Sequence, residues 1–314
     1  MRIERTLVAA ASSAAISIFG GCSAATTPSA NPIFARPPAV AQTRPAATQT
    51  LIYTCEFTAN TCVWYVHGVN RVAGSITGLS LPNGVGVDSA GNVYIANFGA
   101  QNVPVYAKGS TTLVRTLDDS GHFPIDVKVD SDGTVYVANN QDANSASGSV
   151  SVYAPGSTTI SRVIKDPTFG NPTGIAVDEH HELIVCFDDN APGGDCDEFV
   201  HARGPGLIEI SDFPASMEGV AFDNAGNIAV QNANYGTFYF QPNFSMCSAD
   251  QTNGSEMYLA FDRSNGDIYK TNAGGFIEEN AYSPCNGGTP ERKYDAGLNG
   301  NVPYGVAVDP GSGP

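Results

Sequence analysis

"GVGVDSAGNVYIAN", Gly84 to Asn97, reads as a short apolar run, a turn built on Asp-x-x-Gly, and a second apolar run. A single copy would make Asp88 a catalytic candidate. The stretch recurs instead. Aligned copies are "DVKVDSDGTVYVAN" from Asp126, "GIAVDEHHELIVCF" from Gly174, "GVAFDNAGNIAVQN" from Gly219, "YLAFDRSNGDIYKTN" from Tyr258 and "GVAVDPGSGP" from Gly305. Their aspartates are Asp88, Asp130, Asp178, Asp223, Asp262 and Asp309, spaced 42, 48, 45, 39 and 47 residues apart. A fixed period of this length is the mark of a repeat architecture.

One period holds four strands. "GVGVD" is the first and "NVYIAN" the second, joined by the Asp turn. "NVPVYA" is the third and "TLVRTL" the fourth. The runs are four to six residues long, rich in Val, Ile and Tyr, and bounded by Gly, Asn, Asp or Pro. Four strands per period is a propeller blade. The last copy supplies only a first strand and a turn. At the other end of the repeats, "LIYTCEF", "CVWYVHG" and "RVAGSI" supply a second, third and fourth. These are expected to share one blade with Val306–Val308. The reading is an all-β, six-bladed propeller with four-stranded blades over residues 51–314, its ring closed by N-terminal strands pairing with the C-terminal strand.

The copies written "PNGVGVDSAGNVYIAN" and "PTGIAVD" resemble NHL repeats. They are also similar to the wider propeller group of senescence marker protein 30 and the gluconolactonases. The resemblance implies the architecture. It also brings the expectation that some relatives hold a central divalent metal, such as Ca²⁺, that polarises an ester. The same fold hosts binding modules and enzymes, so activity has to be argued from the site.

Six equivalent aspartates cannot all be catalytic. Asp accepts bonds from backbone N–H groups two residues on, and Gly supplies the positive φ that the turn requires. Asn97, Asn139, Asn232 and Asn272, at the ends of second strands, are expected to cap the loops that follow. Tyr94, Tyr136 and Tyr269 are expected to pack blade against blade.

Function in a propeller sits where the repeats differ. First strands line the axis, and their starts lie at the end opposite the Asp turns. Five residues before each aspartate stand Asn83, Ile125, Thr173, Glu218, Met257 and Tyr304, with Asp126 and Glu256 one residue to either side of that layer. Asn83, Asp126, Thr173, Glu218, Glu256 and Tyr304 are the candidate ligand-binding residues. Oxygen ligands converging on an axis suit Ca²⁺, and Glu218, Asn83 and Asp126 are the candidate metal ligands. A hydrated channel mouth is the alternative. A second candidate is "DDNAPGGDCDE", Asp188 to Glu198, whose spacing is not that of a calcium hand. A solvated acidic loop is the simpler reading of it. The five histidines are scattered, with one ring of the His180–His181 pair expected to be exposed and the other packed. No G-x-S-x-G, H-E-x-x-H or phosphate-loop motif occurs.

Residues 1–21 read as a signal peptide, with Arg2 and Arg5 ahead of an apolar stretch from Leu7 to Phe19. "FGGC" ending at Cys22 resembles a bacterial lipobox, which implies lipidation of Cys22 and a cell-envelope location; secretion after ordinary cleavage is the alternative. Residues 22–50 are a Pro/Ala/Thr-rich tether. Removing residues 1–21 leaves 13 basic and 30 acidic side chains, a charge of −17. Such a surface repels phosphate backbones and anionic lipid, so nucleic acid is excluded as a partner and the membrane is reached only through the anchor. The six remaining cysteines suit an oxidising compartment. Proximity in sequence pairs Cys55 with Cys62 and Cys186 with Cys196, leaving Cys247 for Cys285 out of fifteen formal connectivities. The expected protein is an exported monomer, a cell-surface or periplasmic non-catalytic binding or scaffolding propeller for an unidentified protein or small molecule. The alternative is a metal-dependent lactonase or esterase.

Overall fold

The computed structural model describes residues 49–309, apart from 144, 146, 167–169, 189–192, 214–215, 251–255 and 286. The expectations for the signal peptide, Cys22 and most of the tether lie outside the described residues. The described residues form six four-stranded antiparallel sheets, one per repeat. Blade 1 joins Pro303–Asp309 to Leu51–Glu56, Thr61–Val66 and Val72–Ile76, so the two ends of the propeller share a sheet as the truncated sixth copy requires. The first strands of blades 2 to 6 are Pro82–Val87, His122–Val129, Asn171–Val177, Met217–Phe222 and Glu256–Phe261.

The alternation of each strand explains the packing. Every sheet has two covered faces, so apolar residues face both neighbours. Six clusters of buried side chains fill the six spaces between adjacent blades, including the seam between blades 6 and 1, where Ile52, Tyr65 and Val306 meet Tyr258 and Tyr269. A closed ring leaves no inner strand edge to aggregate. The recurring tyrosines behave as expected: Tyr94 of blade 2 packs on Val127 and Val129 of blade 3, and Tyr136 of blade 3 on Ile175 and Val177 of blade 4.

The Asp turns are structural. Asp88 Oδ1 accepts the Ala90 and Asn92 N–H groups at 3.0 and 2.8 Å, and Asp223 Oδ1 accepts those of Ala225 and Asn227 at 2.8 Å each. Asp223 Oδ2 also accepts Asn227 Nδ2 and the Tyr282 hydroxyl. Asp223→Ala leaves these donors unsatisfied. It is expected to cost about 2 kcal/mol in denaturant unfolding while leaving the opposite end of the axis unchanged.

The strand-end asparagines divide. Asn232 and Asn272 cap the following loops through Oδ1. Asn97 instead accepts the Ser80 N–H from the connection between blades, and Asn139 donates to Ser149 and Ser151 of the third strand. Where the loop is not a tight turn, the amide takes the nearest buried partner.

The three disulfides pair as sequence proximity suggests. Cys55–Cys62 and Cys186–Cys196 join directly opposed residues of hairpin strands. Cys247–Cys285 ties blade 5 to blade 6, with Cys247 inside the fourth strand Met246–Asp250 of its blade. Three disulfides fit an exported, oxidised protein. No helix among the described residues is long and apolar enough to cross a membrane. Mass spectrometry without reduction is expected to recover all three linked peptide pairs, and free thiols at Cys55, Cys62, Cys186 or Cys196 would contradict the exported reading.

Candidate functional site

Each first strand carries a β-bulge at the layer five residues before its aspartate. In blade 2 the ladder slips between Pro82 and Val85, in blade 3 between Pro124 and Asp126, in blade 4 between Pro172 and Gly174. Blade 5 slips between Met217 and Val220, blade 6 between Glu256 and Leu259, and blade 1 opposite Thr54 and Cys55. A bulge re-aims side chains and ends regular pairing, which suits the rim of a site. Asn83, Ile125, Thr173, Glu218 and Met257 lie within these slips, and Tyr304 adjoins one at Gly305.

The next layer down closes the axis, and beyond it, toward the Asp turns, first strands of all six blades line a cavity of about 40 Å³. Four residues before the aspartates stand Gly84, Gly174, Gly219 and Gly305, but also Asp126 and Tyr258. The glycines are required by closeness: a Cβ on Gly84 would lie 2.5 Å from Asp126 Oδ1, and one on Gly219 2.8 Å from Tyr258 Cα. Lys128 Nζ holds both Asp126 oxygens at 2.7 and 2.9 Å, and the Val127 and Ile175 N–H groups complete its shell. Tyr258 donates its hydroxyl to the Thr173 carbonyl at 3.0 Å. Asp126 is therefore a buried ion-pair partner at the floor. Thr173 spends its hydroxyl on the Cys186 and Met217 carbonyls.

The open rim above the floor has two sides. On one side Glu218 stands half-buried beside Asp188, the last residue of Leu183–Asp188. Ser216 donates to Asp188 Oδ1 at 2.6 Å. Burial, and then the Asp188 charge, push the Glu218 carboxyl up to about 7, against a smaller opposing effect from its bond to Ser216. On the other side Phe123, Phe98, Phe57 and Tyr304 form a chain of half-buried rings, with successive centroids 5.3, 6.2 and 5.4 Å apart. Tyr304 closes the arc next to Glu218, whose charge, after burial, raises the phenol pKa. Asn83, in blade 2, is 2% exposed and its Oδ1 has no donor. Glu256 begins its strand opposite Asn272.

The structure thus brings Glu218, Tyr304 and Asp188 together, and diverts Asp126 and Thr173 into internal bonds. The sequence reading missed Ser216, Tyr258 and the phenylalanine arc, and placed Asp188 in a separate acidic loop. The carboxylates of that segment in fact spread along a hairpin, with Asp188 at one end and Glu198 opposite Ile184 near the other; Asp189 lies outside the described residues. Among the described residues, groups of three acidic or imidazole ligands occur only at His67–Asp267–Glu279 and Asp130–Asp132–His181, away from the mouth. Glu218, Asp188 and the Asn83 amide oxygen are three candidate oxygen ligands, fewer than the roughly six to eight that Ca²⁺ takes, so an ion held there would keep several waters.

The fold and this site define a six-bladed propeller with a floored axial mouth, acidic on one side and aromatic on the other. No family model and no curated protein matches the chain. Solved structures do. Hydrazine synthase of Kuenenia stuttgartiensis aligns with a TM-score of 0.54 at 16% identity over 71% of each chain. A gluconolactonase of Xanthomonas campestris aligns with a TM-score of 0.53 at 18% identity, over 71% of this chain and 83% of that one. The Dos1 propeller aligns with a TM-score of 0.50 at 9% identity, over 77% and 67%. At these identities the likeness is one of fold.

Proposed function

We propose that this is an exported binding propeller that takes a small hydrogen-bonding ligand with one apolar face at the axial mouth. Glu218, Ser216 and Asp188 offer the polar contacts, and the Phe57–Phe98–Phe123–Tyr304 arc offers the apolar one. The observation that supports the reading is Glu218 itself, a carboxyl held half-buried beside a second carboxylate at the end of a closed axis. Perturbed titratable groups in such places favour function over structure. Anchoring through Cys22 belongs to the same reading, and labelling with a fatty-acid analogue, lost in Cys22→Ser, checks it.

A second reading is a lactone or ester hydrolase. The gluconolactonase of like fold favours it, and so does a carboxyl poised near neutral pH, as a general base needs to be. A screen of cyclic polyols, lactones and esters against the purified protein, with and without added Ca²⁺, separates the two. The binding reading expects saturable ligand binding that Glu218→Gln weakens, without turnover. Turnover that Glu218→Gln abolishes establishes the hydrolase instead.

A further inference from the structure

A cleft of about 500 Å³, open to solvent, lies between blades 3 and 4 on the side of the Asp turns. Arg162, Arg203, His181, His201, Tyr136 and Asp132 line it. The propeller has six arginines in residues 51–314 and a strongly acidic surface, yet two of the six share this cleft. Arg292 pairs with Glu279 and Arg115 bonds the Tyr94 hydroxyl; among the described residues no carboxylate pairs with Arg162 or Arg203, nor with Arg71 or Arg263, which lie outside this cleft. Burial lowers the Arg162 pKa, Tyr136 opposes this, and the Arg203 charge lowers it further.

The histidines are placed against local preference. His181 stands where the equivalent turns carry Gly91, Gly133 and Gly226, and adopts their left-handed backbone at φ 64. His201 also has positive φ, at 49. Non-glycine residues hold this conformation at a cost that the surroundings must offset, and such outliers gather at functional positions. His181 Nδ1 lies 2.8 Å from Asp130 Oδ2, and His201 Nδ1 lies 3.2 Å from Glu182 Oε1, so both rings are fixed by carboxylates of their own. Asp132 spends one oxygen on the Thr134 N–H and hydroxyl. Asp132 is the one carboxylate in the lining, so the two arginines leave the cleft with a net positive charge.

We propose that this inter-blade cleft is a binding site for a small oxyanion, a phosphate or carboxylate group gripped by Arg162 and Arg203 and bordered by His181 and His201. Guanidinium presents paired donors that match either anion, and an anion between two like charges removes their repulsion. The site is separate from the axial mouth and stands whether or not that mouth binds a ligand.

The test titrates the full-length protein at low salt with inorganic phosphate, sulfate and malonate, followed by calorimetry. Saturable binding is expected. Arg162→Gln and Arg203→Gln are each expected to weaken it about tenfold, the scale of one lost charge-assisted pair. Arg71→Gln, an exposed arginine on blade 1, is expected to leave it unchanged. His181→Gly restores the residue the turn prefers, so it is expected to stay folded and still bind more weakly. Phosphate and sulfate ahead of malonate mark a phosphoryl-type ligand, and the reverse order marks a carboxylate; both support the site. Absence of saturable binding by all three anions, or an equal loss in Arg71→Gln, overturns it.

Discussion

A chain that begins at residue 70 is expected to lose cooperative unfolding altogether. It lacks Leu51–Glu56 and Thr61–Val66, the two strands that lie between Pro303–Asp309 and Val72–Ile76 in blade 1. With them go Leu51, Ile52, Tyr53, Trp64 and Tyr65, each at most 1% exposed. Burial of each such side chain stabilises by about 2 kcal/mol, so the sum is about 10 kcal/mol. That is the size of the whole net stability of an ordinary domain. The loss also opens the ring, leaving the inner clusters on both flanks of blade 1 half-covered and two strand edges unpaired. Far-UV circular dichroism against denaturant checks the expectation. The intact protein should show one sigmoidal transition that coincides with the fluorescence of Trp64, its one tryptophan and a member of the closing blade. A chain from residue 70 that melts as sharply would mean that the ring does not need its seam.

The architecture was legible because it is written six times. A propeller blade is too small to bury both of its faces alone, so each copy must repeat the same alternation, and the truncated last copy tells where the ring closes. The cysteine pairs were legible because each short pair spans one hairpin. The site was only partly legible, for a physical reason. Position in the repeat places Glu218 and Tyr304 at the mouth but says nothing about which neighbour captures a charge. Asp126 lies one residue from that layer and is taken by Lys128, two residues further along its own strand. Asp188 looks in sequence like the first of a run of loop carboxylates, yet the strand carries it to Ser216 of the next blade. Phe57 and Phe98 come from connections in two blades and Phe123 from the start of His122–Val129 in a third, and only the closed ring sets them in a row.

Glu218→Gln is expected to make the protein more stable above neutral pH and no more stable at about pH 4. The folded-state pKa of Glu218 is about 7, above its ordinary value of 4.5, with burial the larger cause and Asp188 the second. Between those values the folded chain binds more protons than the unfolded one, so stability falls as pH rises. The favourable condition is fully present below about pH 4.5 and is lost as pH passes through about 7. At 1.36 kcal/mol per pKa unit the difference amounts to about 3 kcal/mol, and partial solvation of a half-buried group reduces it to about 2 kcal/mol. Glutamine keeps the shape and carries no charge, so the slope from this residue vanishes. In a domain of this size the variant should melt about 5 °C higher than the wild type at pH 8, and at the same temperature at about pH 4. Differential scanning calorimetry at the two pH values reads this directly, and two parallel curves would show that Glu218 is not held in the buried, acid-flanked setting described. A site that a single neutral substitution can stabilise is one where charge is kept for another purpose, as stability and activity trade against each other at binding centres. The same variant should therefore lose the ligand of the axial mouth while it gains stability. A merely structural glutamate would not produce those two effects together.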